Sequence, residues 1–306
     1  MQDLAFYKDL IDQCKRIVFH QYSHLDDAAC QWFLREIIQV QGDFTFQPND
    51  QLVIDREAGE FGLDVIHPNA VKGFQHEDGS FSSAFRFLVE VYFPDTDDIR
   101  RRAVDPIVAW VDGDDNSGSA TKAILGEEHP LLETLGLTNL LDAYKTKFDG
   151  HGDQIINHHF GREVLSTLYE HQLVVEKARQ KVREECEIRV DGIVAVCVGH
   201  VPRPATGYPQ QLAREQVNSG EGVAEPKIFL YRDPKMGLGM VRMVDDLRLD
   251  RKELQEFING HNGPEWFFHP GGFMAACGSG TTPRSPDTIP IQVGSLTAKL
   301  NSIYGD

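Results

Sequence analysis

Three side chains able to bind a divalent cation, His20, His24 and Asp26, follow directly on the apolar run Ile17-Val18-Phe19. Imidazole and carboxylate together suit a borderline-to-hard ion such as manganese, magnesium or zinc. His-x-x-x-His-x-Asp also arises by chance, and Asp26 or Asp27 at a helix start is ordinary capping, so the surrounding elements carry the argument. Residues 16–19 read as a buried strand, and residues 28–38 as a helix with Trp32, Phe33 and Ile37 on one apolar face. The three candidate ligands then sit on a strand-to-helix connection. In a parallel α/β sheet the carboxyl end of a strand is where ligands bind.

Further candidates follow in chain order. Residues 1–15 have the spacing of an amphipathic helix, and residues 51–55 read as a second apolar strand ending in a carboxylate, Asp55. His76 and Glu77 precede a helix-like stretch over 81–93. A further apolar run over 105–111 ends in Asp112 and the acid-rich segment 112–118. Pro106 suits the first turn of a helix, although periodicity leaves a buried strand open for this run. The acidic segment lacks the ligand spacing of an EF-hand. A rival cluster, His151, Asp153, His158 and His159, follows a glycine-rich loop with no apolar strand before it, which favours a structural or surface role.

A chain of 306 residues exceeds what one core usually serves, so two domains are expected. The formal charge of −17 argues against a broad electrostatic footprint on duplex nucleic acid, while leaving room for a local basic pocket. Five scattered cysteines without a C-x-x-C pair point to a reducing, cytoplasmic setting. The acidic and basic residues of the first turns are not what a secretory signal is expected to carry, and no apolar run approaches the roughly 20 residues that span a bilayer. Residues 161–186 read as one long helix with an apolar stripe formed by Val164, Leu168, Val175, Ala178 and Val182, expected to connect the domains. Beyond it, strand-like stretches at 192–198, 227–231 and 239–243 predict a small sheet. The Gly-, Ser-, Thr- and Pro-rich stretch 278–290 predicts a flexible connection.

Taken together, the strand into His24-Leu25-Asp26-Asp27, the acid at Asp55, the run Gln75-His76-Glu77 and the acidic segment from Asp112 to Gly118 resemble the DHH phosphoesterase superfamily. The nearest resemblance is to the melanocyte-proliferating-gene family of metal-dependent hydrolases and exonucleases. Downstream, Phe267-Phe268-His269-Pro270-Gly271-Gly272-Phe273 is similar to that family's closing His-x-x-Gly-Phe motif. The resemblance spans residues 16–280. It departs at the third motif, where Gln75 and Glu77 replace an Asp and a His.

The resemblance implies an α/β fold. A parallel-sheet metal-binding domain over residues 1–160 is joined by a linker helix, 161–187, to a smaller α+β substrate-binding domain, 188–280, with the active site in the cleft between them and a flexible tail over 281–306. It implies two manganese ions, with magnesium or zinc as substitutes, held by His20, His24, Asp26, Asp55, His76 and Asp112. Asp55 would bridge the pair, and Asp55, His76 and Glu77 would serve catalysis. On the substrate side, Arg242 has the geometry to grip a phosphate, and Gly271 and Gly272 after His269 let backbone N–H groups approach an anion. An Arg on an exposed sheet face and a plain Gly-Gly turn are the ordinary alternatives. The expected reaction is hydrolysis of phosphodiester bonds in short single-stranded nucleic acid or nucleotides. A phosphoanhydride hydrolase and a catalytically lapsed nucleotide-binding or regulatory protein are the alternatives. Partners are a small phosphorylated substrate or short single-stranded nucleic acid, with no membrane and a homodimer left open.

Overall fold

The computed structural model describes residues 4–21, 24–74, 82–117, 136–218, 225–261, 263–279 and 282–305, with backbone only at 116 and 117. The chain divides into two compact units, Met1–Leu173 and Val174–Asp306.

In the first unit, α1 (Leu4–Gln13) leads into β1 (Arg16–His20), then α2 (Leu25–Trp32), which continues through a wider π-type turn to Ile38. After β2 (Asp43–Gln47) come β3 (Glu60–Leu63) and β4 (Ala70–Val71), and the four strands form a parallel sheet in the order β2-β1-β3-β4. Ile17, Val18 and Phe19 of β1 are fully buried, as expected for a central parallel strand whose two faces are both covered. Helices α3 (Ala84–Tyr92), α4 (Ile99–Ser117), α5 (Leu137–Lys147) and α6 (Asp153–Phe160) follow. Trp32, Phe33, Phe85, Phe87 and Phe160 share one core. Gly161 is required where the chain crosses α2, because a Cβ there would meet the Trp32 Cβ at 2.8 Å.

Two expectations fail here for packing reasons. Residues 51–55 are not a strand: they leave a short 3-10 turn (Asn49–Gln51) and run extended without a strand partner. Their apolarity serves packing instead, since Ile54 is buried with Val18 and Val65. Gly62 in β3 makes this possible, because a Cβ there would lie 2.4 Å from Ile54 Cδ1. Pro106 also lies well inside α4 rather than in its first turn, the helix having begun at Ile99.

From α6 the chain stays helical through a π-type segment (Gly161–Leu165) into α7 (Ser166–Glu185), and the boundary between the units falls inside α7. The second unit holds a six-stranded mixed sheet in the order β5-β6-β7-β8-β10-β9. Its strands are β5 (Glu187–Asp191), β6 (Val194–Val198), β7 (Ile228–Asp233), β8 (Gly237–Arg242), β9 (Phe267–Phe268) and β10 (Met274–Cys277). Helices α8 (Tyr208–Asn218) and α9 (Lys252–Asn259) lie between strands. The expected flexible tail is instead largely helix: α10 (Val293–Tyr304) places Leu296, Leu300 and Tyr304 in the core of this unit. Their i, i+4, i+8 spacing forms one apolar face, a signal masked by the polar stretch before it. Among the described residues, no helix is long and apolar enough to cross a membrane.

Candidate metal centre

Strand register builds the site. β3 pairs with β1 as Arg16↔Glu60, Ile17↔Phe61 and Val18↔Gly62, so the same offset sets Asp64, just past the carboxyl end of β3, level with His20, the last residue of β1. Asp27 comes from the first turn of α2, where its carboxylate accepts a hydrogen bond from the His24 N–H at 2.8 Å through Oδ2. An acid at that position also complements the positive end of the helix dipole. His20 Nδ1 then lies 3.5 Å from Asp27 Oδ1 and 4.0 Å from Asp64 Oδ2. One donor atom from each of His20, Asp27 and Asp64 falls within 4.8 Å of the other two.

This trio fits a divalent cation on two grounds. Donors around an ion with bonds of about 2.1 Å stand roughly 3–4 Å apart, so little contraction is needed. The second ground is Asp27 Oδ1, which is buried and has no hydrogen-bond partner among the described residues. A buried, unpaired carboxylate oxygen is unfavourable by a few kcal/mol in the absence of a compensating charge, on the order of the general desolvation penalty.

The electrostatics agree. Burial pushes the Asp64 carboxyl up to about 9, with Asp26 and Asp115 adding to the rise. Asp27 is driven well above the usual carboxylate range by burial and by Asp64. His20 is held below its ordinary value by burial and by neighbouring His24, which favours the neutral imidazole that ligates metal. Asp64 also carries a left-handed backbone, φ 54, uncommon outside glycine and tolerated by Asp.

The other expected ligands divide sharply. His24 stands beside the trio, its ring centroid 5.2 Å from that of His20. Asp26 is buried, and its two oxygens accept the Ala84 and Phe85 N–H groups at 2.7 and 2.8 Å. It thereby anchors the start of α3, and burial raises it to about 7 despite those bonds. Asp112 accepts from the Ser83 N–H at 2.8 Å and pairs with Arg86 at 2.9 Å. Burial pushes it up, but those partners outweigh burial and hold it below the usual range.

Asp55 is not brought to the cluster. Its carboxylate caps an exposed turn by accepting from the Glu57 and Ala58 N–H groups, and its carbonyl accepts from Glu60 N–H at the start of β3. That is the opposite end of the sheet from Asp64, about 13 Å away along a four-residue strand. Asp64, not Asp55, closes the trio. The short run Glu60-Phe61-Gly62-Leu63-Asp64 carried the signal, an apolar strand ending in an acid, but the longer run at 52–54 obscured it. His76, Glu77 and Gln75 lie outside the described residues. The rival histidines stay apart from the trio: His158 faces Glu36 at 3.7 Å, and His159 faces Glu163 at 3.5 Å and stacks on Phe148.

A cavity of about 450 Å³ opens onto the trio, with His20, His24, Asp64, Lys72 and Asp115 in its wall. A second, of about 490 Å³, shares His24 and Asp115 and reaches Asp26 and Lys145. In the second unit, the expected phosphate groups are committed elsewhere. Arg242 Nη1 donates to the Asp245 and Leu247 carbonyls at 2.5 and 3.3 Å. Gly271 N–H donates to His269 Nδ1 at 3.0 Å and Gly272 N–H to the His269 carbonyl at 2.8 Å, so 269–272 is a closed turn, not an open anion nest.

No family model and no curated protein matches the chain. Among solved structures, it is similar to RecJ in complex with Mg2+ from Thermus thermophilus, at 10% identity and a TM-score of 0.29, over 98% of this chain and 51% of that one. RecJ in complex with Mn2+ from the same organism gives 10% identity and 0.28, over 98% and 53%. An uncharacterized protein from Helicobacter pylori gives 9% identity and 0.22, over 95% and 99%. The chain thus spans about half the length of the RecJ chains it matches. At these scores, function has to be read from the site itself.

Proposed function

We propose that the protein is a metal-dependent phosphoesterase of the DHH type, hydrolysing phosphodiester bonds in nucleotides or short single-stranded nucleic acid. The observation that carries this reading is the convergence of His20, Asp27 and Asp64 at the carboxyl end of a parallel sheet, with Asp27 Oδ1 buried and without a hydrogen-bond partner among the described residues. His20, Asp27 and Asp64 are the ligands of a first divalent ion. His24 and Asp115, which line both cavities, are donors for a second. Manganese is the assigned metal, with magnesium or zinc as substitutes.

Bound there, divalent cations supply neutralisation of phosphoryl oxygens and acidification of water. The chain's own residues do the rest. Asp27 is aimed by the His24 N–H on Oδ2, which leaves Oδ1 3.5 Å from His20 Nδ1. Asp26 and Asp112 tie the start of α3 to α2 and α4, fixing the wall beside the site. His76 and Glu77 keep the ligand and leaving-group roles that the resemblance implies.

The test is hydrolysis of bis-p-nitrophenyl phosphate by metal-stripped protein resupplied with manganese. The expected result is activity that requires manganese and is lost in Asp64→Asn. Manganese-independent activity, or full activity in Asp64→Asn, refutes the reading.

A further inference from the structure

The His20 and Asp64 register extends across one more strand. β4 pairs with β3 as Gly62↔Ala70 and Leu63↔Val71, so Lys72 stands level with Asp64, and His20, Asp64 and Lys72 form a row across three neighbouring parallel strands. The Asp64 N–H bond to the Val71 carbonyl at 2.9 Å holds this alignment. Lys72 is partly buried and is the only Lys or Arg among the described residues lining the cavity over the trio. Its charge is felt by His20, Asp64 and Asp115, yet among the described residues it forms no ion pair or hydrogen bond.

An ammonium directed into an acid-rich cavity without a carboxylate partner is placed for an incoming anion. Leu52, Val65 and Ile66 give the same cavity an apolar part to its lining, and Ile66 is 87% exposed. Covering an isoleucine that open to water with a ligand's apolar group is favourable. The cavity volume, about 450 Å³, is in the range that holds one small organic ligand.

We propose that Lys72 grips a non-bridging phosphate oxygen of the substrate and that Leu52 and Ile66 seat the ester's apolar group. The substrate class is then a phosphate ester of an aryl or nucleobase-bearing alcohol rather than inorganic pyrophosphate, which has nothing to lay on the apolar wall. This inference rests on the phosphoesterase reading above. Asp115 repels an anion here when no cation is present, so phosphate binding must depend on metal as well as on Lys72.

The experiment is calorimetric titration of manganese alone, then of inorganic phosphate into manganese-loaded protein, for wild type, Lys72→Met and Ile66→Ser. It is paired with KM for bis-p-nitrophenyl phosphate. Lys72→Met is expected to bind manganese at least as tightly as wild type and phosphate about ten- to a hundred-fold more weakly, the range for one charge-assisted hydrogen bond. Ile66→Ser is expected to bind phosphate normally while its KM for the aryl ester rises several-fold. Phosphate affinity within two-fold of wild type in Lys72→Met, or loss of manganese binding in that variant, overturns the role of Lys72. An unchanged KM in Ile66→Ser overturns the apolar seat. Wild-type protein that binds no manganese refutes the phosphoesterase reading itself, a result distinct from either of these.

Discussion

Replacing Asp64 by Asn probes the centre most directly, because Asn has nearly the same shape and also accepts the left-handed backbone at this position, φ 54. With its carboxyl pushed up to about 9 by burial, Asp64 is protonated in the metal-free protein at neutral pH. A cation must displace that proton. At pH 7 the gap of two units corresponds to about 3 kcal/mol of lost binding free energy. Apparent affinity should therefore rise with pH between pH 6 and pH 8 from this one group, with a slope of about one in log K against pH. Asp27, also raised by burial, pushes the slope toward two. His20, lowered by burial, is neutral over most of this range and adds little. The sign for stability is the opposite. A folded-state pKa raised above the unfolded value contributes stability that is fully present below about pH 4 and is lost as pH climbs through about 9, so the metal-free protein should melt progressively lower from pH 6 to pH 9. Manganese should reverse that trend. Calorimetric titration of manganese from pH 6 to pH 8, in buffers of different ionisation enthalpy, reads both affinity and proton release. Asp64→Asn should bind far more weakly and lose about one unit of slope. A pH-independent affinity in wild type, or wild-type affinity in Asp64→Asn, would show that Asp64 is not a ligand.

Asp55→Ala should leave manganese affinity unchanged and lower stability by only about 0.5–1 kcal/mol, the loss of one exposed turn cap, as a thermal melt with and without metal would show. Asp26→Ala should destabilise the first unit by about 2–5 kcal/mol, since it strips the acceptors from two buried N–H groups at the start of α3. Denaturant unfolding measures this, and a change under 1 kcal/mol would contradict the anchoring role. Leu300→Ala should cost about 2–5 kcal/mol by opening a cavity in the second core, whereas a truly flexible tail would register nothing in the same melt.

Much of the first unit was legible in the residues. β1 and the helix after it announce themselves through a continuous apolar run followed by an amphipathic period, and three of the six strands of the second sheet fall at 194–198, 228–233 and 237–242, close to where their apolar runs lie. The trio was only half legible. His20 stands at a strand end that local pattern can locate, and Asp27 was visible as a helix-start acid. Asp64 follows a strand of just four residues, too short for alternation to stand out. Asp55 follows a longer apolar run whose burial comes from packing over Gly62 rather than from pairing.

What the sequence determined by itself is therefore the set of candidate ligands: histidine and aspartate gathered after a buried strand, in a chain whose net charge of −17 argues against a broad footprint on duplex nucleic acid. What tertiary structure decided is which acids come together. Period-two patterns identify a strand but not its neighbour, and it is the register of β1, β3 and β4 that levels His20, Asp64 and Lys72 in one row. Asp26 and Asp112 look like ligands in one dimension and serve as helix anchors in three, because α3 lays its unsatisfied N–H groups against them.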